Sequence, residues 1–143
     1  MEYERHESCG VILFRTVGSD RLFLTLRYTR GHFEFPKGHI EKTDKDLHDT
    51  ALRELREETG ITKVEIIPGF HEKIRYKFHD ENKVIDKSVD FFLASTIEEN
   101  VVISDEHTDY KWLVYEDAVK QVTFKNSKEL LFRANEFLNQ ASK

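Results

Sequence analysis

The chain has a single cysteine, Cys9, so no internal disulfide can form, and its place at the start of an apolar strand pattern points to a buried structural thiol rather than a nucleophile. A reducing cytoplasm is the expected setting. No stretch approaches the roughly 20 apolar residues that a membrane helix needs. The start, Met1-Glu2-Tyr3-Glu4-Arg5-His6-Glu7, is charged and lacks an apolar segment, so no signal peptide is expected. Positive charge is scarce as well: 22 Lys and Arg against 27 Asp and Glu leave a net charge of −5, which argues against a general nucleic-acid surface. A small polyanionic substrate is still allowed, because bound divalent ions reverse the local potential at a carboxylate cluster. Repeats, low-complexity tracts and linkers are missing too. The 143 residues, 38% apolar and 34% charged, are therefore read as one soluble globular domain spanning 1–143. A monomer with no membrane partner and no stable nucleic-acid partner is expected.

What stands out is Arg53-Glu54-Leu55-Arg56-Glu57-Glu58-Thr59-Gly60-Ile61. Glu54, Glu57 and Glu58 sit at i, i+3 and i+4, so on a helix they leave one side, within reach of a common ion. Hard oxygen ligands suit Mg²⁺ or Mn²⁺. A start at Thr43-x-x-Asp46, with Asp44 as an alternative cap, and a stop at Gly60 delimit the helix. Leu47, Ala51 and Leu55 form its core stripe. At about 100° per residue Glu58 falls between Leu47 and Ala51, and Glu54 about 20° from Leu47, so these two flank the buried face. Asp46, Asp49, Arg53 and Arg56 should point outward. Arg-Glu-Leu-Arg-Glu-Glu is more often a solvated face laced with ion pairs. Carboxylates beside a core stripe, however, are desolvated and repel one another, and they require a cation, either Arg53 against Glu57 or a metal.

The loop Phe35-Pro36-Lys37-Gly38-His39 comes just before this helix, and together they resemble the signature of the Nudix hydrolases: Gly, a short loop, then Arg-Glu-aliphatic-x-Glu-Glu-x-Gly-aliphatic. The resemblance implies an α+β fold, an α/β/α sandwich with a mixed β-sheet packed between helices. It also implies an enzyme that hydrolyses a nucleoside diphosphate linked to another moiety. The family pattern has thirteen residues between its Gly and its Arg-Glu, and this chain has fourteen, His39 to Leu52. The pattern's first Glu therefore falls on Lys45 counted back from Arg53, or on Asp44 counted forward from Gly38.

Pro36-Lys37-Gly38-His39, Gly69-Phe70, Tyr76, Lys87, Glu106-His107, Tyr110-Lys111-Trp112-Leu113 and Phe124-Lys125 further resemble the asymmetric diadenosine tetraphosphate hydrolases. That likeness implies Mg²⁺ or Mn²⁺ held at Gly38, Glu54, Glu57, Glu58 and Glu106, polyphosphate contacts from Lys37, His39 and Lys87, and adenine stacking on Tyr76 and Phe124. Glu54, Glu57, Glu58 and Glu106 become the catalytic carboxylates, with Glu106 or Glu54 as general base, and Arg53 orients Glu57. By spacing alone Glu106 is an acidic loop residue, and Tyr76 and Phe124 are core aromatics. The expected reaction is diadenosine tetraphosphate to ATP and AMP. Rival readings are pyrophosphohydrolysis of a nucleoside triphosphate or capped RNA, a phosphoinositol-polyphosphate hydrolase, and a non-catalytic Nudix-fold nucleotide sensor.

Strand patterns cover Ser8 to Arg15, Arg21 to Tyr28, Lys63 to Ile67, His71 to His79, Lys87 to Ser95 and Tyr110 to Val114. In the fourth, Ile74, Tyr76 and Phe78 alternate with Lys73, Arg75, Lys77 and His79, giving one apolar and one basic face. Asp80 to Asp86 should turn a hairpin. Helices are expected at Glu116 to Gln121 and Ser127 to Leu138. Lys37, His39, Arg75, Lys77, Lys83 and Lys87 are candidates for positive charge around the pocket.

Overall fold

The computed structural model describes residues 2–141. Seven strands form one mixed sheet: β1 (Glu2–Val17), β2 (Asp20–Tyr28), β3 (Phe33–Glu34), β4 (Lys37–His39), β5 (Val64–Asp80), β6 (Lys83–Thr96) and β7 (His107–Val114). The path is β3-β2-β1-β6-β5, with β4 on β1 and β7 on β2. Among the described residues only the β1–β6 pairing is parallel. Helix α1 (Leu47–Thr59) covers one face; α2 (Tyr115–Gln121) and α3 (Lys125–Ala141) cover the other. The α+β sandwich expected of the family is the fold of this chain. Among the described residues no helix is long and apolar enough to cross a membrane.

Cys9 to Phe14 is a continuous apolar run, interrupted only by Gly10, because β1 lies mid-sheet and is buried on both sides. Cys9, Val11 and Leu13 pack under α1 with Ala51 and Leu55. Ile12 and Phe14 pack against Leu130, Leu131 and Ala134 of α3. Burial pushes the Cys9 thiol up to about 12, so it behaves as a structural group.

The strand patterns fell short at the ends. The charged stretch Glu2 to Glu7 continues β1, pairing with Lys83 to Ser88 of β6 beyond the helices, where much of the ladder stays exposed and no apolar alternation is needed. Lys63 to Ile67 and His71 to His79 are one strand, β5, joined through an irregularity at Ile66/His71 where Gly69 takes φ +94°. The expected hairpin turn shrinks to Glu81 and Asn82, Glu81 being left-handed at φ 55°, and most of Asp80 to Asp86 belongs to the ladder. Strands β3 and β4 carry no periodic signal, being two and three residues long.

Candidate active site

Helix α1 is only 13 residues, marginal alone, and is held by burying Ala51 and Leu55. Its cap is Asp46, whose side chain accepts from the Asp49 amide at 2.8 Å; Gly60, at φ 75°, ends it. Thr43 is therefore not the cap. Asp44 has a different task, receiving Nε and Nη2 of Arg53 at 2.9 and 3.0 Å in a bidentate pair. Of the two positions reached by counting, Asp44 engages Arg53, and Lys45 donates its amide to Asp49 at 3.0 Å.

That pair corrects the wheel reading of Arg53. Its side chain is 12% exposed, because the long guanidinium folds back along the helix. It donates to Glu54 at 2.8 Å, to Glu57 at 3.1 Å and to the His39 carbonyl at 2.9 Å. Arg53 is the cation that neutralises Glu54 beside the core stripe and also pairs with Glu57. Glu57 remains the most solvent-facing of the three, at 55%.

Glu58 has no such partner. It is 3% exposed; one carboxylate oxygen accepts the Lys37 amide at 2.8 Å, and the other, Oε2, is buried with no hydrogen bond. Burial, resisted by that amide and reinforced by the Glu54 and Glu106 charges, pushes its carboxyl up to about 8. Burial also raises Glu54.

The loop is fixed from below. Val11 donates to the Pro36 carbonyl at 3.0 Å, and β4 pairs with Ser8, Cys9 and Gly10. A Cβ on Gly10 would lie 2.6 Å from the Phe91 ring and 2.8 Å from the Pro36 carbonyl, so β1 and the loop touch backbone to backbone. At Gly38 a Cβ would overlap the Glu54 carboxylate.

Two cavities meet here. A cleft of about 370 Å³ is lined by Tyr28, Lys37, Gly38, His39, Glu41, Glu54, Lys87 and Glu106. Beside it, a cavity of about 360 Å³ is lined by Glu34, Lys37, Ile74, Tyr76, Phe124 and Ser127, with Lys125 and Asn126. Lys37 belongs to both. The structure therefore brings Lys37, Gly38, His39, Glu54, Lys87 and Glu106 together, and separately Tyr76 and Phe124. Arg75, Lys77 and Lys83 stand apart: they engage Asp86, the Tyr3 ring and Glu4 along the far end of the β5–β6 hairpin, and add nothing to the cleft.

Residues the patterns passed over include Glu34, buried and bound by Ser127 and Lys37, and Tyr28, whose hydroxyl donates to the Phe35 carbonyl at 3.2 Å. Burial, then the charges of Glu58 and Glu34, holds the Tyr28 phenol well above its ordinary value. Neither has a sequence signal beyond proximity to the loop.

The carboxylates fit a divalent cation by chemistry. A buried Glu58 oxygen without a protein partner, a raised Glu54 and a side-chain-free approach at Gly38 suit a hard divalent cation. Among the described residues no three acidic, imidazole or thiol groups are already gathered as a cage.

A family model, the NUDIX domain, matches residues 4–134. The chain is 37% identical to the mouse bis(5'-nucleosyl)-tetraphosphatase [asymmetrical] and 32% identical to that of Caenorhabditis elegans, over 92% of this chain and 94% and 96% of theirs. A crystal structure of a C. elegans Ap4A hydrolase binary complex superposes with a TM-score of 0.83 at 30% identity, covering 94% of this chain and 98% of that one. The Escherichia coli dihydroneopterin triphosphate pyrophosphohydrolase shares the fold, with a TM-score of 0.72 at 17% identity over 93% of this chain and 97% of that one. On the NUDIX match and on these identities, the chain belongs to the Nudix family.

Proposed function

We propose that this Nudix enzyme hydrolyses a dinucleoside tetraphosphate asymmetrically, diadenosine tetraphosphate to ATP and AMP, with Mg²⁺ or Mn²⁺ as cofactor. The observation that carries this reading is the joining of an aromatic cavity and a carboxylate cleft at Lys37, which suits one base and the adjoining phosphates. Tyr76 and Phe124 stack the adenine, a contact worth about 1 to 3 kcal/mol per base.

Glu54, Glu57, Glu58 and Glu106, with the Gly38 loop, are the residues that would hold the cation. Bound there, a divalent ion neutralises phosphate charge and acidifies a water. Lys37, His39 and Lys87 hold the polyphosphate and stabilise charge on the transferred group. Burial and nearby Lys37 lower the Lys87 ammonium, and burial and nearby Lys87 lower His39; an incoming phosphate reverses that cost. Glu54 is engaged by Arg53, so Glu106 is assigned as the base. Water oxygen bonds to the phosphorus that ends in the nucleoside monophosphate, its proton passes to Glu106, and the opposite bridging P–O bond breaks in line, with the nucleoside triphosphate as the leaving group.

The enzyme is proposed to act as one domain and as a monomer in the cytoplasm, a setting that suits the free, buried Cys9. The second reading is a capped-RNA substrate, favoured by 34% identity to the RNA pyrophosphohydrolase of Nitratiruptor, over 64% of each chain. Product analysis in ¹⁸O-labelled water separates them. Label in AMP, with ATP unlabelled, is expected; two diphosphate products, or preference for mononucleotides or RNA, overturns the proposal.

A further inference from the structure

Behind the cleft, His107 begins β7 with its side chain fully buried. Its Nε2 has no hydrogen-bond partner, and neither has Oε2 of Glu58. The two atoms face each other across 3.7 Å. Buried polar atoms without partners are uncommon in folded chains, and these two form a close facing pair that stops short of a hydrogen bond.

The other ring nitrogen sets the polarity of this pair. Nδ1 lies 3.0 Å from the Ser104 hydroxyl, which can donate to the ring, while Nε2 faces the Glu58 carboxylate, which when ionised can only accept. With Nδ1 accepting, the ring proton sits on Nε2 and points at Glu58. Tyr28 packs edge-on against the imidazole, with ring centres 4.4 Å apart, and prevents it from turning away. The Glu58 carboxylate is thus bracketed: the Lys37 amide takes Oε1, and Nε2–H of His107 confronts Oε2.

We infer that His107 is a positioning residue that fixes the rotation of the Glu58 carboxylate, and that Ser104 sets its tautomer. The inference deepens the proposed function and rests on its reading of Glu58 as a ligand. Residues that orient a metal ligand typically contribute 10- to 100-fold in metal affinity or activity. Glutamine at 107 keeps an N–H donor near Nε2, and leucine keeps only volume.

The test is titration of the substrate-free protein with Mn²⁺ alone, by calorimetry or electron paramagnetic resonance, on wild type, H107Q and H107L, with folding followed by circular dichroism. H107L should bind Mn²⁺ about 10- to 100-fold more weakly, and H107Q should recover most of the loss. Equal affinity in H107L and wild type overturns the inference while leaving the proposed function intact. Equal losses in both folded variants also overturn it, because restoring an N–H donor would then restore nothing. Wild type that binds no Mn²⁺ overturns the ligand reading itself. Should H107L not fold, long-range ¹H–¹⁵N spectra of wild type decide: Nε2–H is expected, and Nδ1–H overturns the assignment.

Discussion

No side chain fits between Gly38 and the carboxylate of Glu54: the backbone of the loop closes directly over the acid. Adding one methyl group therefore has a defined effect. Gly38→Ala should push the flexible Glu54 carboxylate aside, at a stability cost within about 1 kcal/mol, because the clash is with a side-chain tip. A 1 Å misplacement of a catalytic group costs on the order of 10²-fold, so kcat should fall by about that much while Tm hardly moves. Steady-state kinetics beside a thermal melt checks this; wild-type kcat in a folded G38A would rule it out.

Activity should vanish in excess chelator and return with Mg²⁺ or Mn²⁺. Glu57→Gln and Glu58→Gln should each lower kcat by about 10²-fold or more with circular dichroism unchanged, since each removes ligand charge and little volume. Undiminished turnover in chelator, or near-normal kcat in both variants, would return this helix to an ordinary ion-paired face.

Glu106→Gln should depress kcat more than KM, because a base or ligand to the reacting group matters chiefly in the transition state. An effect confined to KM would make Glu106 a binding residue.

Tyr76→Ala and Phe124→Ala should raise KM for diadenosine tetraphosphate roughly 5- to 150-fold, the equivalent of about 1 to 3 kcal/mol of stacking, with smaller changes in kcat. Unchanged KM in both would leave the cavity without a role in base recognition.

The Arg53 guanidinium holds the Asp44 carboxyl well below its ordinary value of 3.8. A depressed folded pKa stabilises the protein above the unfolded pKa, and that contribution is lost as pH falls through the folded one. The Tm gap between wild type and Asp44→Asn should therefore be steady from about pH 8 to pH 5 and close below about pH 4. Melting curves across that range check it; a gap that widens in acid contradicts the assignment.

Much of the site was legible because helix geometry is local. The spacing of Glu54, Glu57 and Glu58, the stripe of Ala51 and Leu55 and the stop at Gly60 all follow from 3.6 residues per turn and the φ freedom of glycine. Alternation likewise revealed the central strands wherever one face meets a core. It missed the exposed start of β1, where pairing with β6 replaces burial as the organising contact.

By itself, then, the sequence determined which side chains leave which side of α1 and that an acid cluster follows a Pro-Lys-Gly-His loop. Only the tertiary structure decided how those acids are partnered. Arg53 turned inward because Asp44, nine residues away and outside the helix, receives its guanidinium. Glu58 was left without a cation, facing His107 from 49 positions along the chain. Lys37 came to join two cavities because β4 is stitched to β1. The basic residues Arg75, Lys77 and Lys83 were drawn to Asp86, Tyr3 and Glu4 instead of to the cleft. The physical reason is range: backbone periodicity orients neighbours within a turn or two, whereas the partner of a buried charge is chosen by sheet topology, which brings distant segments together.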